Sequence, residues 1–133
     1  MHLKIITHDK VVFDDDVKEI YTQGVDGSFG VLKGHIPIIS ALDIGITKVV
    51  TDDECKFFTT MGGVFQFKNE EATILTDTAE CGSDIDVTRA KSAKERAEAR
   101  LAEKAAGVDV KRAEAALARA LARLKVAMVQ SEH

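Results

Sequence analysis

Arginine is the residue type through which this chain could do chemistry, and its spacing is regular. Arg89, Arg96 and Arg100 stand at i, i+7 and i+11, and Arg112, Arg119 and Arg123 repeat the same intervals. At about 100° per residue each set stays within a narrow arc of a helix. Guanidinium forks hold phosphate or carboxylate oxygens through paired, charge-assisted hydrogen bonds, so two such rows brought together would form an anion site. The alternative is a solvated face. Like charges repel unless carboxylates intervene or an anion binds between them, and Glu95, Glu98, Glu103 and Glu114 lie among the arginines to pair with them. Periodicity alone leaves both readings open.

The other reactive groups are scattered. Cys55 and Cys81 belong to no C-x-x-C pattern, and His2, His8, His35 and His133 have no ligand spacing, so neither a zinc site nor a disulfide framework is indicated. The two thiols read as ordinary buried or half-buried side chains. No paired acid and base, no nucleophile constellation and no G-x-x-x-x-G-K-S/T phosphate loop is present. The expectation is a non-catalytic protein.

The elements that would carry these residues divide the chain in two. Its 133 residues are 45% hydrophobic and 30% charged with a formal net charge of -4. That suits one small domain plus an appendage, and offers no broad attraction for nucleic acid or an anionic membrane surface. The apolar stretch from Ile36 to Leu42 is far shorter than the roughly 20 residues of a membrane span, and the first residues carry no signal-type pattern, so a soluble, cytoplasm-facing protein is expected. Up to about Cys81, short runs alternate apolar and polar residues: Leu3 to Thr7, Val17 to Thr22, Ile44 to Thr51, Lys56 to Thr60, Gly63 to Phe67 and Ala72 to Thr76. All glycines but Gly107, and the single proline Pro37, lie in this half, as the turns of a small β-sandwich or barrel require.

From Asp86 onward alanine, arginine, lysine, glutamate and leucine take over, the strong helix formers. A break at Ala106-Gly107-Val108-Asp109 separates two helices of about 18 and 19 residues, with Gly107 ending the first, and Asp86 and Asp109 placed to cap the two N-termini. The predicted architecture is α+β, with residues 1–84 forming a β-sandwich and 85–133 an αα-hairpin. Ala90, Ala93, Ala97 and Leu101 form one apolar stripe; Ala113, Ala116, Leu117, Ala120, Leu121, Leu124 and Met128 form the other. Alanine buries one methyl where a buried leucine contributes about 1.5–3 kcal/mol. The packing should be close but shallow, within reach of a ligand that adds a few kcal/mol.

Longer patterns carry a resemblance. Gly27-x-x-Gly30-x-x-x-Gly34-His35-x-Pro37, then Leu42-x-x-Gly45, Gly62-Gly63 and Ile74-Leu75-x-Asp77-Thr78-Ala79, resemble the hallmark stretches of the epsilon subunits of bacterial F-type ATP synthases, in the family's order. The resemblance implies a flattened sandwich of about ten strands, resting on the gamma subunit and the c subunits of the rotor ring at the cytoplasmic face of the plasma membrane. Membrane contact would come only through the complex. His35 reads as a hydrogen-bonded structural histidine, and Pro37 as a loop stiffener.

At the junction, Ile85-Asp86-x-x-Arg89-Ala90 is similar to the I/L-D-x-x-R-A motif with which some bacterial epsilon subunits bind ATP. Glu80 before it and Arg96, Arg100, Arg119 and Arg123 after it stand at positions like those of ATP-binding members. The resemblance thus implies ATP as a regulatory ligand, with Mg²⁺ left open and no metal cofactor. It also implies two states: a folded hairpin held by ATP, and helices extended along gamma against the alpha and beta subunits, restraining hydrolysis. A free-standing nucleotide-sensing adaptor is the alternative.

Overall fold

The computed structural model describes residues 1–103 and 109–132. The strands are β1 (His2–Ile6), β2 (Val11–Asp16), β3 (Glu19–Gly24), β4 (Gly27–Leu32), β5 (Ile38–Val50), β6 (Cys55–Lys68), β7 (Glu71–Leu75) and β8 (Ala79–Cys81). A single 3₁₀ turn, Gly82–Asp84, leads to helices α1 (Val87–Glu103) and α2 (Val110–Ser131). The α+β class stands, but the described residues hold eight strands rather than about ten. The count falls because β5 and β6, of 13 and 14 residues, run unbroken where shorter runs were expected. The separate runs Lys56 to Thr60 and Gly63 to Phe67 are one strand, with Gly62 and Gly63 inside β6.

Hydrogen bonding orders the strands β2-β1-β7-β6-β5-β3-β4, with β8 also paired to β6. The first part of β6 pairs with β8 (Thr60↔Ala79) and the last part with β7 (Val64↔Leu75). The change of partner falls at Gly62 and Gly63, whose φ values of +78° and +118° favour glycine. Thr76 stitches the corner, its hydroxyl donating to Gly62 O at 2.6 Å and accepting from Met61 N at 3.1 Å.

The sheet folds over itself, because strands distant in that order touch. Phe13 of β2 meets Phe58 of β6 edge to face at 5.6 Å, and Phe29 of β4 meets Phe65 of β6 at 5.4 Å. Between the layers lie Leu3, Ile5, Ile20, Val31, Val49, Phe65 and Ile74, all essentially inaccessible. A hydroxyl chain crosses this core from Thr22 to Thr47 (2.8 Å) and Thr47 to Thr60 (3.1 Å), so these buried hydroxyls are partnered.

The first half of β6 is covered on both faces, and Phe57 to Met61 are all buried. Phe58 and Thr60 point into the sandwich; Phe57, Thr59 and Met61 point the other way, where α2 packs. Asp86 caps α1 by accepting from Arg89 N at 3.0 Å, and Asp109 caps α2 by accepting from Arg112 N at 3.0 Å, as expected. The break expected at Gly107 lies outside the described residues.

The α2 stripe differs from expectation. Ala113 and Ala120 are buried, but so are Ala122 and Val126, while Leu121 and Met128 are exposed. The reason is that α2 serves two neighbours, α1 and the sandwich, and the small residues take the close contacts. On α1, Ala90 and Ala97 are buried as expected, and Ala93 and Leu101 are half-buried.

At the opposite edge His2 of β1 bridges Asp14 and Asp16 of β2, the latter at 2.8 Å. The hydrogen bond to Asp16, then that to Asp14, holds the His2 imidazole above its usual value. The folded state thus keeps this proton to higher pH than the unfolded chain. The stabilisation is complete below about pH 6.5 and is lost as pH rises through the raised folded value. Chemical denaturation of the protein and of His2→Gln should therefore show a gap at pH 5.5 that shrinks by pH 9. A pH-independent gap would count against the bridge.

A cavity between the helices and the sandwich

The junction residues converge because the 3₁₀ turn folds the chain back at the end of β8. Ile85 leaves this turn extended, and Asp86 starts α1 beside the edge of the sandwich. Helix α2 returns antiparallel to α1 and brings Arg123 against Glu80 of β8, with Nε donating to Oε1 at 2.8 Å. Both side chains are only partly accessible, at 28% and 39%, so this pair is less screened than a fully exposed one.

Around this contact opens a cavity of about 460 Å³. Glu80, Asp84 and Asp86 line it from the sandwich and junction, Arg89 and Arg96 from α1, and Arg123 from α2, with Ile85, Ala90 and Ala93 between. Its volume falls within the roughly 300–1,000 Å³ of small-molecule sites. The lining thus holds three carboxylates and three guanidinium groups. Among the described residues, Arg89 and Arg96 form no ion pair within 4.0 Å, whereas Arg123 is held by Glu80.

Seven of the nine residues singled out by the sequence, Glu80, Ile85, Asp86, Arg89, Ala90, Arg96 and Arg123, line this cavity. Half-buried Arg119 does not; it stands one turn before Arg123 on α2. Nor does Arg100, which is exposed one turn beyond Arg96 on α1, and Arg112, the remaining member of the two rows, is likewise exposed and outside. Asp84 was missed, and no spacing rule would have found it. His35 is half-buried, with Nδ1 2.6 Å from Ile36 O and its ring edge-on to Phe67. No group of described residues could hold a metal ion, and no described helix is long and apolar enough to cross a membrane.

Residues 1–82 match the family model described as the ATP synthase delta/epsilon chain beta-sandwich domain, and residues 83–128 that of its long alpha-helix domain. The chain belongs to the ATP synthase delta/epsilon family. Among its relatives, an ATP synthase epsilon chain of Lawsonia intracellularis is 43% identical over 101 residues, covering 76% of each chain. A chloroplastic epsilon chain of Piper cenocladum is 42% identical over 101 residues, again covering 76% of each. A chain in the Euglena gracilis mitochondrial ATP synthase structure, determined with OSCP, F1 and c-ring, superposes with a TM-score of 0.79 at 22% identity. That match covers 98% of this chain and 80% of the other and speaks to the family's fold alone.

Proposed function

We propose that this family member is the non-catalytic epsilon subunit of a bacterial F-type ATP synthase. It would sit in the central stalk at the cytoplasmic face of the membrane, with its sandwich on gamma and the c subunits, coupling ion flow to rotation. Residues 1–84 form the coupling unit and 85–133 the regulatory unit. ATP binds in the junction cavity and favours the docked hairpin. When the hairpin leaves, the helices extend along gamma toward the alpha and beta subunits and restrain hydrolysis.

The observation that carries the nucleotide reading is the cavity lining, which gathers carboxylates from the junction and guanidinium groups from both helices into one space. Asp86 and Glu80 can accept from the amino group of adenine or from ribose hydroxyls, while Arg89, Arg96 and Arg123 meet phosphate oxygens. Arg119 lies one turn from Arg123, about 6 Å along the axis, where the far end of a triphosphate could reach it. The exposed Leu121 and Met128, 45% and 56% accessible, supply α2 with an outward apolar face for the extended state.

Calorimetric titration of the chain with ATP, and co-purification with gamma, test the two halves of this reading. Saturable binding below millimolar ATP together with gamma association is expected. Absence of heat at several millimolar ATP would remove the nucleotide role. ATP binding without gamma association would support a free-standing nucleotide-sensing adaptor instead.

A further inference from the structure

Helix α2 makes the hairpin's main contact with the sandwich, and α1 packs on α2. One attachment is the Arg123–Glu80 pair at the cavity. A second lies seven residues farther on, about 10 Å along the helix axis. There the Gln130 side-chain amide reaches the exposed end of β6: Oε1 accepts from Phe57 N at 2.8 Å and Nε2 donates to Cys55 O at 3.3 Å. Strand β8 pairs with β6 only from Phe58 to Thr60, so Gln130 continues its hydrogen bonding past the end of β8 with a side chain in place of a strand.

Gly82 completes this contact, and its role is not the usual one. Its φ lies outside the left-handed region, so backbone conformation does not demand glycine. A Cβ there would lie 2.7 Å from the carbonyl oxygen of Val126 and 2.6 Å from Cβ of Gln130. Val126 is wholly buried. The first clash is with helix backbone, which moves only if α2 moves. Gly82 is therefore tied to the docked hairpin: the three atoms nearest an added methyl all belong to α2.

We propose that Gly82 and Gln130 form a docking joint, separate from the cavity, that holds α2 on the sandwich without any ligand. Its strength decides how readily the hairpin leaves. The regulatory consequence rests on the two-state reading above, since a tighter joint leaves less for ATP to contribute; the joint itself does not.

The two cysteines report on it. Cys55 shares the α2-facing side of β6 with Phe57, whereas Cys81 packs against the sandwich core. The test is the rate of maleimide modification of each thiol in the full chain, without nucleotide. Gly82→Ala should speed modification of Cys55 about tenfold, as expected of overpacking against backbone, and leave Cys81 unchanged. Gln130→Glu is nearly isosteric but turns the donor facing Cys55 O into an acceptor, and should speed Cys55 about fivefold. Lys125→Ala, on the exposed face of α2, is the control and should change neither rate.

A Cys55 rate unchanged in both joint variants would overturn the proposal. So would equal acceleration of Cys55 and Cys81, which means that the sandwich itself opens. Because no nucleotide is present, a failure of ATP to bind leaves this result intact, and a failure of the joint leaves the ATP titration intact.

Discussion

Gly63→Ala is expected to destabilise the protein by about 3 kcal/mol or more, lowering the urea midpoint at a similar slope. Two causes act together. The residue holds φ +118°, where an L side chain is strained, and a Cβ would stand only 1.9 Å from the Leu75 carbonyl oxygen and 2.8 Å from Thr76 Cα. Both obstacles are backbone, at the corner where β6 exchanges β8 for β7, so relief requires breaking the Thr76 stitch. Gly27 provides the comparison, since its φ is +132° but nothing lies within 4 Å of an added Cβ. Gly27→Ala should thus cost only the conformational part, about 1 kcal/mol. Equal midpoints for the two variants would refute the crowding argument.

Arg123→Ala should weaken ATP binding by about tenfold to a hundredfold, the equivalent of about 1.5–3 kcal/mol for hydrogen bonds to a charged group. The effect exceeds loss of one donor, because the substitution leaves the Glu80 carboxylate unpaired in the cavity, where it repels phosphate. Lys111→Ala, exposed in the first turn of α2 and absent from the cavity lining, should bind ATP as the unaltered chain does. Calorimetry of the three proteins measures this directly. Equal affinities would return the arginines to the role of a solvated face. Arg119→Ala should fall between, since Arg119 flanks the cavity without lining it.

Local rules were legible in the sequence where one neighbour decides a residue's environment. Leu3, Ile5 and Thr7 are buried on alternate positions, and Asp86 and Asp109 cap their helices, because strand alternation and capping depend on a few adjacent residues. Residues with two neighbours were harder to place. Phe57 to Met61 lose their alternation because α2 covers the second face, and Leu121 and Met128 face outward because the sandwich and α1 together take other sides of α2. The cavity followed from a recognisable motif, yet the partner of Arg123 did not. Glu80 and Arg123 lie on different elements, and their meeting depends on the angle at which α2 returns. Gly82 was counted with the turn glycines, although its φ needs no glycine and its lack of a side chain makes room for a helix.

The parallel pairing of β1 with β7 sets an order in which the chain can be built. His2 finds its partner only at Glu71, so during synthesis the β1–β2 hairpin waits for most of the sandwich to emerge before its second neighbour arrives. The α2-facing side of β6 waits longer still, for a helix that ends at Ser131. At about 5–20 residues per second, Phe57 and Met61 remain uncovered for roughly 3–10 s after β7 is complete. Thr59 lies between them on that face, its hydroxyl accepting from Glu80 N, so the surface left to water is interrupted by a polar group. A newborn sandwich must withstand those seconds without its lid.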